Sequence, residues 1–264
     1  MDERPISRIL IWLASASFLF LLAPVLIVIP LSFSGDVFMS FPPSSWSLRW
    51  YASIGQHPKM IDAFFFSLKL AGAVTVVNLL IAVPAAYALV RLAPPGAATL
   101  MSVLTAPLLL PTIVLALAML IVAARAGLLA TPQGLFLAHL VVTLPYALRI
   151  ISTALATVPI AVEEAAATLG ATPLTVFRRV TLPLIIPGLV AAGALSFLVS
   201  FDEVVLSLFM SGPRLSTLPV EMYHHVESRA DPLVAAISVL LVLFTLFIVI
   251  VVDRSLGLAR TFVK

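Results

Sequence analysis

Histidines, serines and acidic residues are the side chains of this chain that could act in catalysis or bind a metal. His224 and His225 are adjacent, and neighbouring residues on a helix point about 100° apart, so they do not easily share one metal ion. We therefore predict that both lie on a solvated surface and that the chain binds no metal. The chain has no cysteine, which excludes disulfides and thiolate metal sites.

Two known catalytic arrangements are not supported by the sequence. A P-loop needs a lysine followed by Ser or Thr after a glycine-rich turn, and none of the lysines, Lys59, Lys69 and Lys264, has that setting. An intramembrane serine protease would need an activated serine near a histidine, for which His139 and Ser196 are the obvious pair. The sequence around Ser196, GALSFL, lacks a glycine-framed nucleophile motif. We predict no catalytic residue, and His139 as a hydrogen-bonded helix-packing residue.

Asp202 and Glu203 are consecutive acids inside an apolar run, FLVSFDEVVLSLF. A charged side chain costs about 2.5–3.5 kcal/mol at the centre of a spanning helix on insertion scales, so the pair needs an explanation. Two interpretations remain open: solvated acids at the outer end of a helix, or groups that line a path for a cationic solute. As neighbours on a helix, the two side chains face different directions. Lys69 is expected to reach the membrane surface, and Asn78 to hydrogen-bond between helices.

Long apolar runs make up most of the chain and must position these residues. The 264 residues are 62% hydrophobic and 10% charged, with a mean hydropathy of +1.18, which is outside the range of soluble proteins. Runs of about 20 residues are long enough to cross a bilayer as helices. The sequence predicts an all-α membrane protein, a single transmembrane domain over residues 1–264, with six spans at about Ile9–Phe33, Ala63–Val90, Ala98–Ala124, Gln133–Ala156, Leu184–Leu208 and Leu233–Val252.

The distribution of basic residues predicts the orientation of the six spans. Nine basic residues fall on the side of the two termini: Arg4, Arg8, Arg91, Arg149, Arg178, Arg179, Arg254, Arg260 and Lys264. Five fall on the other side: Arg49, Lys59, Arg125, Arg214 and Arg229. By the positive-inside rule, both termini are cytoplasmic. The first apolar run is longer than the h-region of a signal peptide and is expected to be a retained anchor.

A polar and basic loop, about residues 158–183, separates the fourth and fifth predicted spans. Its sequence predicts a short helix after Pro159, a bend at Gly170, a second helix capped by Thr172-Pro173 and a stop near Pro183. Small alanines follow Glu164 and allow another backbone to approach closely. We interpret this loop as a docking element for another protein.

Two segments between spans are predicted to lie outside. The first, about Ser34–Asp62, contains an aromatic and basic cluster between Trp46 and Tyr51, which is typical of the headgroup level and predicts a short interfacial helix. The second, Ser211–Asp231, is polar. Either is a candidate contact for an external partner. Topology explains the basic excess, so it does not indicate nucleic-acid binding.

The loop resembles a known motif. Glu164-Ala165-Ala166, then Gly170, then Val180-x-Leu182-Pro183 resemble the EAA motif of permease subunits in binding-protein-dependent ABC importers, with Val where Ile is commonest. The stretch SFDEVVLSLFMSGPRLSTLPVEMY is similar to the spermidine/putrescine permease branch. The resemblance covers nearly the whole chain and implies a type I ABC importer permease fold. It implies these ATPase-coupling residues: Glu163, Glu164, Ala165, Ala166, Gly170, Val180, Leu182 and Pro183.

The resemblance also implies the partners and the place of the chain. It would be a multi-pass subunit of a bacterial inner membrane, surrounded by lipid and paired with a second, similar permease. Two ATP-binding subunits would hold ATP and Mg, so this chain needs no cofactor, and an external binding protein would deliver the solute. Asp202 and Glu203 are the candidate residues of the solute path. The alternatives are the same importer class with another small solute, a membrane scaffold and an intramembrane enzyme.

The predicted topology is tested with reporter fusions. Fusions after Arg91, Arg179 and Lys264 should report the cytoplasm, and fusions after Lys59 or Glu221 should report the outside, because charge asymmetry sets the orientation. A cytoplasmic signal at Glu221 would contradict the arrangement with six spans.

Overall fold

The computed structural model of the chain describes residues 8–256, which form helices joined by loops. The predicted all-α architecture is confirmed. Five helices in this range are long and apolar enough to cross a membrane, or six if one bent pair is a single span. The helices are α1 (Arg8–Ser32), α2 (Arg49–Ser53), α3 (Pro58–Tyr87), α4 (Ala97–Thr105), α5 (Thr112–Arg125), α6 (Pro132–Thr157), α7 (Ile160–Thr168), α8 (Pro173–Val176), α9 (Leu182–Phe201), α10 (Val205–Met210), α11 (Leu218–Ser228) and α12 (Leu233–Leu256). Arg4, Arg260 and Lys264 of the charge count lie outside the described residues.

The third predicted span, about residues 98–124, is two helices rather than one. α4 continues into a 3₁₀ turn at Ala106–Leu109, and this segment meets α5 at an angle of 103°. Leu110 has extended backbone, with φ −90° and ψ 139°, because the ring of Pro111 disfavours helical backbone in the residue before it. The prediction of one continuous helix is corrected here: the segment is a broken span or a re-entrant loop.

The fifth predicted span, about residues 184–208, also differs from the structure. α8 and a π turn at Phe177–Thr181 run directly into α9, so one helix extends over Pro173–Phe201. The predicted stop near Pro183 is therefore wrong. Because this helix ends at Phe201, Asp202 and Glu203 lie in a break between α9 and α10 and not within a helix.

The larger of two compact units comprises residues 59–221 and 245–256. Within it, α6 packs along α9 and α10 packs on α5. Gly188 of α9 lies so close to Ala154 of α6 that a Cβ at position 188 would collide with it. The contact between α6 and α9 belongs to an apolar core that includes Ala82, Ala86, Leu89, Ala147, Leu148, Ile151, Leu155, Val158, Ile185 and Ala192.

The other unit comprises residues 8–58 and 222–244. Asp36 closes a loop in it by accepting hydrogen bonds from the hydroxyl groups of Ser40 and Ser44 and, at 2.9 Å, from the Ser44 amide. These bonds, chiefly those from Ser44, lower the pKa of Asp36 to about 2. α2 is a short helix where the sequence predicts one, and the Arg49 guanidinium lies 4.5 Å from the ring centre of Trp50.

The two adjacent histidines have different environments. The side chain of His224 is 55% exposed, as predicted. The side chain of His225 is only 10% exposed, and its Nε2 lies 2.9 Å from Oδ1 of Asp231. The prediction of a solvated surface is therefore wrong for His225, because an acid six residues further along the chain shields it.

The close contact between α6 and α9 at Gly188 can be tested by adding a methyl group there and, as a control, at Gly72. Gly188→Ala should lower the stability of the purified protein by about 1–3 kcal/mol, because the added Cβ overpacks the contact with Ala154. Gly72→Ala in α3 is the matched control, since a Cβ there meets no atom within 4 Å. The readout is the thermal unfolding midpoint in detergent. Equal midpoints for both variants would contradict the close approach.

Candidate functional site

The loop between α6 and α9 is a helix, a left-handed glycine and a second helix. α7 ends at Thr168, and Gly170 follows with φ 87°. The Gly170 amide bonds to the Ala167 carbonyl at 2.9 Å, and the Ala171 amide bonds to the Ala166 carbonyl at 3.2 Å. This pair of bonds is the Schellman motif, which favours glycine at the left-handed position. The predicted bend at Gly170 is confirmed.

The second helix of the loop starts as its sequence predicts. The Thr172 hydroxyl accepts a hydrogen bond from the Thr175 amide at 3.4 Å, and Pro173 occupies the first turn of α8. From α8 the helix continues through the π turn into α9. Gly170 is therefore the last break before the membrane helix, and any displacement of α8 is a displacement of the end of α9.

An ion pair between Arg91 and Glu163 ties this loop to the end of α3. Arg91 lies in a π turn, Ala88–Leu92, that continues α3, and its Nε lies 3.1 Å from Oε1 and 3.0 Å from Oε2 of Glu163. Arg91 Nη2 also donates to the Val158 carbonyl at 2.8 Å, and the Thr181 hydroxyl donates to Oε1 of Glu163 at 2.8 Å. We call this set, Arg91, Val158, Glu163 and Thr181, the latch.

The latch is largely shielded from water. Only 8% of the Arg91 side chain and 12% of the Glu163 side chain are exposed. Removing one partner of such a pair leaves the other charge desolvated, which typically costs about 3–5 kcal/mol. The two consecutive acids therefore have different environments. The Glu163 side chain is bonded to Arg91 and largely shielded from water, whereas Glu164 is exposed.

The exposed surface of the loop includes two large apolar side chains. Leu169 is 89% exposed and Leu174 is 65% exposed, one on each side of Gly170. The residues that the sequence predicted to couple to an ATPase vary in exposure. Besides Glu163 and Glu164, three are exposed (Ala165, Gly170 and Pro183) and three are half-buried (Ala166, Val180 and Leu182). Exposed leucines on both sides of the bend are compatible with contact with a partner.

Sequence reasoning did not assign Arg91, Thr181, Leu169 or Leu174 to this site. Arg91 counted only toward the topology, because its partner Glu163 is 72 positions away in the sequence. Leu169 and Leu174 flank the predicted bend, and that position is the signal that could have identified them as surface residues.

A second set of polar contacts lies in the interior, among α3, α6, α9 and α10. Asn78 donates to Thr143 at 2.7 Å and to Ser196 at 3.4 Å, so the predicted hydrogen bond between helices is confirmed. Thr143 in turn donates to the His139 carbonyl at 2.7 Å. Such contacts satisfy polar groups that would be costly to leave unpaired in an apolar interior.

Both ring nitrogens of His139 are hydrogen-bonded to serines, and neither of these serines is Ser196. Its Nδ1 and Nε2 each lie 2.9 Å from a hydroxyl, those of Ser200 and Ser207 respectively. The prediction of a hydrogen-bonded packing residue is therefore confirmed. Ser196 is buried and bonds to Asn78 instead, so the arrangement does not present an activated nucleophile.

Asp202 and Glu203 lie in the break after α9, where they have different environments. The Glu203 carboxylate accepts a hydrogen bond from the Leu206 amide at 3.0 Å and so caps the first turn of α10. Asp202 is exposed. Glu203 is thus a helix-capping acid, and Asp202 is the more exposed acid of the pair.

A cleft beside the first turn of α3, at the opposite end of that helix from Arg91, contains charges of both signs. It has a volume of about 390 Å³ and is lined by Lys59, Asp62, Arg214 and Glu221 among others. Residues 8–256 contain no cluster of three or more His, Asp or Glu side chains that could hold a metal ion.

Comparisons with known proteins place this arrangement in context. Residues 78–260 match the family described as "Binding-protein-dependent transport system inner membrane component". The chain is 32% identical to the putrescine transport permease PotI of Escherichia coli K12, over 85% of this chain and 82% of that protein. It is 29% identical to the spermidine/putrescine permease PotC of the same organism, over 89% of each chain. It is also 33% identical to the molybdenum transport permease ModB of Mycobacterium bovis, over 82% of this chain and 89% of that protein.

Solved structures have the same fold at lower sequence identity. A bacterial ABC transporter that imports alginate matches with a TM-score of 0.69 at 15% identity, over 96% of each chain. The inward-facing methionine transporter MetNI matches with a TM-score of 0.63 at 20% identity, over 75% of this chain and 94% of that one. At these identities the likeness concerns the fold alone.

Proposed function

This chain belongs to the inner membrane components of binding-protein-dependent transport systems, and from that premise we propose that it is a permease subunit of an ATP-driven importer for polyamines. Members of this family are transport components rather than enzymes. The proposal therefore concerns how the chain couples to its ATPase and which solute it carries.

The observation that carries the coupling proposal is the exposed loop around Gly170. Leu169 and Leu174 expose apolar surface on either side of the bend, next to the exposed acid Glu164. A groove on an ATP-binding subunit would bury these two leucines and pair with Glu164. Because α8 is continuous with α9, such a partner would act directly on a membrane helix.

The proposed assembly has five protein chains. Two ATP-binding subunits, which hold ATP and Mg, would dock on the loops of this chain and of a second, similar permease, and an external binding protein would deliver the solute. Closure of the ATP-binding subunits would move the loops and switch the cavity from inward-facing to outward-facing. Co-purification of this chain with an ATP-binding subunit tests the assembly against a scaffold or an intramembrane enzyme.

The solute proposal rests on similarity and on the acids after α9. Two relatives are named for putrescine or spermidine, which are polycations. An acid within about 4 Å of a cation contributes roughly 4 kcal/mol at an effective dielectric of 20, which offsets part of the cost of removing the solute from water. The exposure of Asp202 supports assigning this role to it. The alternative is another small solute, which the relative named for molybdenum supports.

The coupling proposal predicts that Gly170→Val and Glu164→Lys abolish uptake and solute-stimulated ATP hydrolysis while the chain stays in the membrane. A β-branched residue at φ 87° costs at least about 1–2 kcal/mol and tilts α8, and the lysine reverses the exposed charge. Gly127→Val is the matched control, since Gly127 also has positive φ and open space but lies on the opposite predicted side. Normal transport by both loop variants would contradict a coupling role.

The solute proposal predicts that Asp202→Asn and Glu203→Gln reduce polyamine uptake, with the double variant lowest, while association with the ATP-binding subunit persists. Of the two, Asp202→Asn is the more direct test, because Glu203→Gln also weakens the cap of α10. Glu227→Gln is the control: it neutralises an exposed acid on the same predicted side. Polyamine uptake at the normal rate by the double variant would leave the acids as helix-end groups and remove this support for polyamines.

A further inference from the structure

α7 is held in place by polar bonds rather than by burial. None of its nine residues, all of them described, is buried. On one side it is joined to α6 through extended backbone at Val158 and Pro159, and on the other it ends at the left-handed Gly170. Helical backbone is interrupted at both connections, so a pivot of α7 relative to its neighbours would occur there. The latch is the contact that opposes such a pivot, because Glu163 projects from the middle of α7 to Arg91 and Thr181.

The latch joins three parts of the same unit. Arg91 belongs to the end of α3, Glu163 to α7, and Thr181 to the π turn that leads into α9. The ends of α3 and α9 also meet directly, since the rings of Tyr87 and Phe177 lie edge to face at 5.2 Å between centres. The apolar contact therefore joins the two membrane helices, and the ion pair adds α7 to them.

The geometry requires an arginine and a carboxylate. Arg91 holds both Glu163 and the Val158 carbonyl through different nitrogens, Nε and Nη2, which a planar guanidinium can do and a lysine ammonium cannot do in the same way. Arg91 and Thr181 both lie in π turns, a feature that often marks functional positions in helices. One carboxylate oxygen, Oε1 of Glu163, accepts from both residues.

We propose that Arg91 and Glu163 are positioning residues that make α7 move as one body with the cytoplasmic ends of α3 and α9. This inference rests on the proposed function: a force applied to the exposed face of α7 by an ATP-binding subunit would reach two membrane helices through the latch. Without the latch, α7 would pivot at Val158 and Gly170 and absorb the displacement. The bonds that Arg91 and Glu163 make in the latch are all within this chain.

The test uses the complete importer in proteoliposomes, with the binding protein present or absent. Arg91→Met and Glu163→Gln should stay in the membrane, co-purify with the ATP-binding subunit and keep basal ATP hydrolysis. They should lose stimulation by the binding protein, and uptake, by about tenfold or more, because the ion pair no longer bonds α7 to the ends of α3 and α9. Arg254→Met, at an exposed position of α12, is the control and should behave as the wild type.

A covalent replacement separates positioning from folding. The chain has no cysteine, so Arg91→Cys combined with Glu163→Cys can be joined by a short bifunctional thiol reagent, with cysteine-free partner subunits. Uptake by this double variant should be low before cross-linking and should recover after it. A loss that the cross-link does not restore, or a cross-link that blocks transport by fixing a contact that must open, overturns the proposal.

Two further outcomes distinguish the inference from the function on which it rests. If the wild-type chain does not co-purify with an ATP-binding subunit, the proposed function fails and the latch inference fails with it. If the wild-type complex couples normally and Arg91→Met and Glu163→Gln couple equally well, the proposed function stands and the latch inference is overturned.

Discussion

The absence of water inside a lipid bilayer is the constraint on which the rest of this structure depends. Every backbone amide and carbonyl in the hydrocarbon region must find a partner within the protein, which leaves helices as the solution for a chain of this composition. The same constraint acts on side chains. Asn78 and His139 are tolerated in the interior because Thr143, Ser196, Ser200 and Ser207 bond to them.

The local parts of the fold were predictable because they depend on neighbouring residues. Gly170 and Thr172 follow rules of helix ends that need only a few positions of sequence, and the structure has the bend and the cap where those rules put them. The bend in the third predicted span and the different bounds of the fifth were missed for another reason. Hydropathy does not distinguish a straight span from one bent by 103° at Pro111, and it does not reveal that an apolar run breaks at Asp202.

The site was predictable only in part, because residues that are far apart in the sequence contact each other there. Glu163 and Glu164 are adjacent and appear equivalent in the sequence, yet one is bonded inside the protein and the other faces out. What separates them is Arg91, which reaches the loop from the end of α3. A contact between residues 72 positions apart has no local signature, so the inward role of Glu163 could not be derived from the loop sequence.

In this family, the residues that determine the fold differ from the residues that select the solute. Importers of alginate and of methionine share this architecture at 15–20% identity, so the helical frame is compatible with an acidic polysaccharide and with an amino acid. Selectivity must then come from the few side chains that meet the solute, whereas the proposed coupling role of the loop around Gly170 would suit any importer that is driven by ATP. The described residues do not present a single sign of charge by which to choose a solute: Asp202 is an exposed acid, whereas the cleft is lined by both Lys59 and Asp62.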